Sequence, residues 1–196
     1  PLQRDTKFEW FRTKYSNIAQ LLDVKLKGPL GNLVKKMFLF PMQLMSHDLH
    51  HAIQTSANSH LVLIDILCCL NNTEMHLFKK VYGTIFRSRR YSSLSDNIYQ
   101  LLEADVTLAA RGYFGVLLQN LMEGHRCEDS PEDIQMSLTA NSPYDVVDRK
   151  LVDSDVRRLY HAGQEHEGNV DQTTFISILT KRSVLHMKAI WQRYRE

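Results

Sequence analysis

The chain lacks most of the features that assign a function from composition. Only three of its 196 residues are cysteine, Cys68, Cys69 and Cys127, and none are spaced as C-x-x-C. An odd count with two adjacent members fits free, buried thiols in a reducing compartment better than a disulfide frame. No stretch approaches 18 uninterrupted apolar residues, which excludes a membrane-spanning helix. A net charge of +2 is nearly balanced. That argues against a dedicated duplex-DNA binder, whose affinity rests on many phosphate contacts, so no nucleic-acid partner is expected. There is no G-x-S-x-G elbow, P-loop or H-E-x-x-H, and Cys127 beside His125 has no orienting acid. The chain therefore reads as a non-enzyme with no organic cofactor. The start, "PLQRDTKFEW", has neither an initiator Met nor an apolar signal core, and reads as that of a processed product or fragment.

Strand-like alternation is also missing, whereas apolar residues recur at three- and four-residue steps. Examples are Leu30, Leu33, Val34 and Met37, and again Phe114, Leu117, Leu118 and Leu121. The pattern predicts an all-α chain. It also repeats. Gly28-Pro-Leu-Gly-Asn-Leu33-Val34 matches Gly112-Tyr-Phe-Gly-Val-Leu117-Leu118, and Leu67, Met75 and Tyr82 match Leu179, Met187 and Tyr194. Phe11 falls in the same slot as Tyr82. Gly28 follows Phe11 by 17 residues and Gly112 follows Tyr82 by 30, so extra residues are placed near 87–99. The expected organisation is 1–41 as the back half of a first repeat, 42–124 as a complete second, 125–145 as a linker, and 146–196 as the front half of a third. Within the complete repeat, helices are expected to end near Ile53, to span Leu61–Leu70, Glu74 to about Phe86, and Leu101–Val106, and to finish with Gly112–Met122. The polar, acidic, Pro-containing segment 123–145 reads as the linker between repeats.

These motifs resemble the annexin family over essentially the whole chain. The carriers are Leu63-Ile-Asp-Ile-Leu67, Phe175-Ile-Ser-Ile-Leu-Thr-Lys-Arg-Ser183, "LYHAG" at 159–163, "EADVTLAARGYF" at 103–114 and "MFLFP" at 37–41. The resemblance implies an all-α fold of repeats with about five short helices each. It also implies a cytoplasmic protein, peripheral to membranes, that binds an anionic phospholipid surface through calcium. In the family a glycine-rich loop turns backbone carbonyls onto the ion, and an acid before the last helix of the repeat closes the site.

In this chain Thr55-Ser-Ala-Asn58 replaces the glycine loop of the second repeat, with Ala57 in its middle. Ala109 stands in the acid position, and Lys25 stands there in the first repeat. Removing the charged ligand removes most of the attraction for a divalent ion, so these two sites read as lost. The third loop keeps Gly163 and Gly168, and the carbonyls of Gly163, His166, Glu167 and Gly168 are the calcium-ligand candidates. Glu167 takes the tip position, where a charge resists insertion into lipid. Arg87, Arg89 and Arg90 in the extra loop form a candidate anion- or membrane-binding patch. Ser92 and Ser93 beside them match a basophilic kinase site, where a phosphate would reverse the local charge. His47, His50 and His51 lack partners for zinc and read as helix-surface residues. Arg182, at a helix end, is expected to tie loops together. Two functions remain open: calcium-weakened membrane binding, and a calcium-independent scaffold with a protein (cytoskeletal) partner.

Overall fold

Helix-start chemistry and apolar spacing together fix the architecture in a computed structural model. The model describes residues 25–37, 39–55, 59–140 except 91–96, 142–164 and 170–195, and for 88–90 the backbone only. Among the described residues there are ten α-helices and no strand. They are α1 (Gly28–Met37), α2 (Pro41–Thr55), α3 (Ser59–Leu67), α4 (Asn72–Arg90), α5 (Gln100–Ala109), α6 (Gly112–Met122), α7 (Pro131–Thr139), α8 (Arg149–Gln164), α9 (Gln172–Lys181) and α10 (Val184–Tyr194), with a 3₁₀ turn at Pro143–Asp145. The chain divides into two compact units, one ending at His47 and one running from Asp48 onward. No described helix is long and apolar enough to cross a membrane.

In the larger unit, α4 lies against α5, α5 against α6, α6 against α9, and α8 against both α9 and α10. Helix α4 carries Phe78, Tyr82 and Phe86 at four-residue steps, which places them on one face. The rings pack in series, with centroids 6.4 Å apart for Phe78–Tyr82 and 4.9 Å for Tyr82–Phe86. Phe78 and Tyr82 are fully buried, and each such ring contributes about 2–3 kcal/mol of apolar transfer. A second cluster joins Val152 and Leu159 of α8 to Ile178, Ala189 and Ile190.

Helix α4 continues past the expected end at Phe86 as far as Arg90. Buried Phe86 anchors the turn, and no glycine or proline interrupts Arg87–Arg90, so the ladder of backbone hydrogen bonds runs on. The basic residues therefore end a helix and do not lie in a loop. The cysteines depart from expectation too. All three are free, but Cys69 and Cys127 are exposed and only Cys68 is half-buried. Cys68 and Cys69 sit in the turn that closes α3, where the chain has left the core. Partial burial, with the adjacent Cys69, pushes the Cys68 thiol above its ordinary pKa.

The segment from 123 to 148 is not a plain loop. Glu128 Oε1 accepts the backbone N–H of Asn72 at 2.7 Å, at the start of α4, and Asp129 Oδ2 accepts that of Leu185 at 3.0 Å, at the start of α10. A carboxylate at each helix N-terminus satisfies an orphan donor and complements the helix dipole. Asn72 and Arg126 exchange two further bonds, at 2.8 and 3.1 Å. Arg126 Nε donates to Arg182 O at 3.1 Å. Helix α7 then begins at a capping box. Ser130 Oγ accepts the Asp133 N–H at 3.0 Å, the Asp133 side chain accepts in return from Ser130 N–H, and Pro131 takes the first helical position.

Candidate functional site

The turn ahead of α6 is the best-defined part of the region that the repeat implicates. Gly112 has φ +64, a left-handed conformation that favours glycine, and Gly115 packs so closely that an added Cβ would lie 2.5 Å from the Ala110 carbonyl oxygen. The same pair recurs ahead of α1. Gly28 has φ +77, and a Cβ on Gly31 would overlap the Leu26 carbonyl oxygen. Two stretches 84 positions apart in sequence thus build one backbone device. Three residues before each left-handed glycine stand Lys25 and Ala109. The turn is intact at both places, and neither position offers a carboxylate oxygen to a cation.

The loop that follows α8 is bounded by described residues on both sides. Gly163 lies in the last turn of α8, where an added Cβ would come within 3.8 Å of the Phe175 ring and 3.9 Å of Tyr194 Oη. On the far side Asp171 caps α9. Its Oδ1 accepts the N–H of Thr173 at 3.1 Å and of Thr174 at 3.3 Å, and its Oδ2 accepts the Thr174 hydroxyl at 2.7 Å. The Asp171 N–H donates to Ala162 O at 3.0 Å, which ties the two loop ends together. His166, Glu167 and Gly168 lie outside the described residues. Among those described, no three His, Cys, Asp or Glu side chains are grouped to hold a metal ion. The described residues thus group no side-chain ligands for a metal ion, and a calcium reading rests on backbone carbonyls of the loop, of which only that of Gly163 belongs to a described residue.

Within α8, eight residues before Gly163, sits a carboxylate that sequence reading overlooked. Asp155 of α8 is fully buried. Its Oδ2 accepts Arg182 Nε at 2.6 Å and His186 Nε2 at 3.1 Å, and its Oδ1 accepts Arg182 Nη2 at 3.1 Å and Arg158 Nη1 at 3.2 Å. Burial alone pushes the Asp155 carboxyl upward, but the hydrogen bonds and charges of Arg182 and His186 outweigh it and hold its pKa below the ordinary carboxylate value. The hydrogen bond to Asp155 in turn raises that of Arg182, against its own desolvation. Arg182 therefore fastens the end of α9 to the middle of α8. The signal was present in the sequence. Val152, Asp155, Leu159 and Ala162 step by three and four, so Asp155 falls inside an apolar stripe.

A second polar cluster corrects the reading of His50 as a surface residue. Its ring stacks on Phe86, with centroids 3.9 Å apart and planes 13° from parallel. Its Nδ1 lies 2.9 Å from Tyr82 Oη, and Tyr82 donates its hydrogen to buried Asp105 Oδ2 at 2.6 Å. With the phenolic hydrogen committed to Asp105, His50 Nδ1 is the donor to Tyr82. His51, its neighbour, is exposed. Of the basic residues, Arg87 is exposed at the end of α4, and Arg89 and Arg90 follow in the same helix.

Comparison with known proteins agrees on one family. No family model matches the chain. The chain is 29% identical over 192 residues to annexin A1 of Cavia cutleri, covering 98% of this chain and 47% of that protein. It is 27% identical over 175 residues to annexin A13 of Schistosoma japonicum, covering 89% and 48%. Among solved structures it is similar to annexin III, with a TM-score of 0.72 at 21% identity, over 94% of this chain and 49% of that one. It is also similar to chicken annexin V in complex with Zn²⁺, with a TM-score of 0.68 at 26% identity, over 98% and 52%. A calcium-bound annexin, (Sm)1, gives a TM-score of 0.69 at 14% identity, over 95% and 50%, which speaks to fold alone. The chain spans about half the length of the curated relatives it matches.

Proposed function

Starting from a chain that is annexin-like in sequence and fold, we propose that it serves as a peripheral, cytoplasmic membrane-binding protein. Its ligand is an anionic phospholipid surface, and its calcium dependence is weakened. The observation that carries this reading is the pair of glycine turns before α1 and α6. Both turns keep the left-handed glycine and the close-packed glycine three residues on, while Lys25 and Ala109 stand where the resemblance places the closing acid. Calcium wants six to eight oxygens with carboxylate charge among them, so these turns do not hold it. What calcium response remains is assigned to the loop from Gly163 to Gly168, through the carbonyls of Gly163, His166, Glu167 and Gly168. Attraction without calcium is assigned to Arg87, Arg89 and Arg90, each charge contributing about 1 kcal/mol near an anionic bilayer. The role is binding, not catalysis.

The absence of acids at two sites also favours a second reading, a calcium-independent scaffold for a protein partner, and one experiment separates the two. Sedimentation with phosphatidylserine vesicles is expected to give appreciable binding in chelator and a modest increase in millimolar calcium. The triple variant R87A/R89A/R90A is expected to bind at least tenfold more weakly in chelator. Absence of vesicle binding in both conditions would discard the membrane reading and leave the scaffold. Binding that vanishes entirely in chelator would discard the basic patch and return the whole function to the loop.

A further inference from the structure

Helix α7 is amphipathic in the reverse sense. The half-buried positions, which face the body of the protein, are Asp133, Ser137 and its C-cap Ala140. Its three large apolar side chains point to solvent, with Ile134 49%, Met136 50% and Leu138 74% exposed, and none of its residues is buried. Ile134 and Leu138, four apart, form one outward strip with Pro131. A helix on a globular surface ordinarily turns such a strip inward. This one begins at a capping box, and its strip keeps half to three-quarters of its surface in solvent when the chain folds.

The surroundings of the strip select its partner. Residues 123–148 contain seven acids, Glu123, Glu128, Asp129, Glu132, Asp133, Asp145 and Asp148, against one arginine, Arg126, a net of −6 within a chain of net +2. Glu128, Asp129 and Asp133 accept backbone hydrogen bonds, while Glu132 is exposed beside the strip. A strongly acidic field repels an anionic bilayer and draws cationic chains toward it. We propose that α7 is a docking site for a basic amphipathic segment of a partner protein. The partner's apolar face lies on Pro131, Ile134 and Leu138, and its lysines or arginines face the acids of the connection. This site is independent of lipid binding and works in the absence of calcium.

The test uses the whole chain and a defined probe, a fluorescein-labelled 18-residue amphipathic helix of leucine and lysine, titrated by anisotropy in chelator. Saturable one-to-one binding is expected. The double variant I134S/L138S is expected to raise Kd at least tenfold with only a small change in thermal midpoint, because both side chains keep about half or more of their surface in solvent. Glu132→Lys is expected to raise Kd several-fold, and the effect to shrink in 0.5 M salt as charge is screened. Equal binding by wild type and I134S/L138S would overturn the proposal, as would equal binding of a leucine–glutamate peptide. Two further results would overturn it in favour of another occupant. One is a dimer of the wild-type chain that I134S/L138S dissolves while peptide affinity stays constant. The other is loss of phosphatidylserine vesicle binding in I134S/L138S.

Discussion

Asp155→Asn is expected to remove about 3–5 kcal/mol of stability, the typical effect of breaking a buried ion pair from one side. The amide keeps the volume of the carboxyl but carries no charge, and it leaves the Arg182 guanidinium without its counter-ion. For a chain of this size the thermal midpoint should fall by roughly 8–15 °C. The pH dependence identifies the cause. A carboxyl whose folded-state pKa lies below its ordinary value stabilises the fold above the unfolded pKa, and that contribution is lost as pH falls through the folded one. The gap between wild type and variant in urea midpoint is therefore full near neutrality and closes below about pH 4, near the ordinary aspartate value. A gap that persists undiminished at pH 3 would assign the effect to packing and not to charge.

The second large effect concerns the glycine device. Gly115→Ala places a Cβ 2.5 Å from the Ala110 carbonyl oxygen. The obstacle is backbone and has no rotamer to adopt, so the start of α6 must move. Overpacking of this kind costs about 3 kcal/mol at its upper end. Gly112→Ala makes an informative partner, because its Cβ meets nothing within 4 Å. It pays only for a left-handed conformation, about 1–2 kcal/mol. Denaturant titration should rank Gly115→Ala as the more damaging. Equal midpoints for the two variants would mean that the close approach to Ala110 relaxes freely.

The helices were legible because a 3.6-residue period is a local property. Phe114, Leu117, Leu118 and Leu121 announce α6 with no reference to the rest of the chain. The kinship of Gly28 with Gly112 was legible for the same reason, since matching letters at matching intervals need no coordinates. What stayed hidden depends on residues far apart in sequence. His50 looks like a surface histidine until Phe86 and Tyr82 arrive, more than 30 positions later, to cover and bond it. Asp155 was visible as a charge in an apolar stripe, yet its partners Arg182 and His186 come from two other helices. Helix α7 is a different case. Ser130-Pro-Glu-Asp133 spells a capping box, but the acidic composition around it favoured a loop, and its apolar residues lacked the inward stripe that marks a buried helix. The reach of α4 to Arg90 was missed because the extra residues of the second repeat were placed from 87 onward.

The strap between α6 and α8 also has a bearing on the life of the chain under proteolysis. From Gly112 to Asp148 it offers an enzyme that cuts after lysine or arginine a single address, Arg126. That side chain reaches the carbonyls of Leu179 and Arg182, and its backbone is paired with Asn72. To be cut there, the strap must first let go of the start of α4 and the end of α9. A long connection, ordinarily the first place a protein is nicked, here has its one such address pinned to helices it does not itself join, so that cleavage waits on the loss of those bonds.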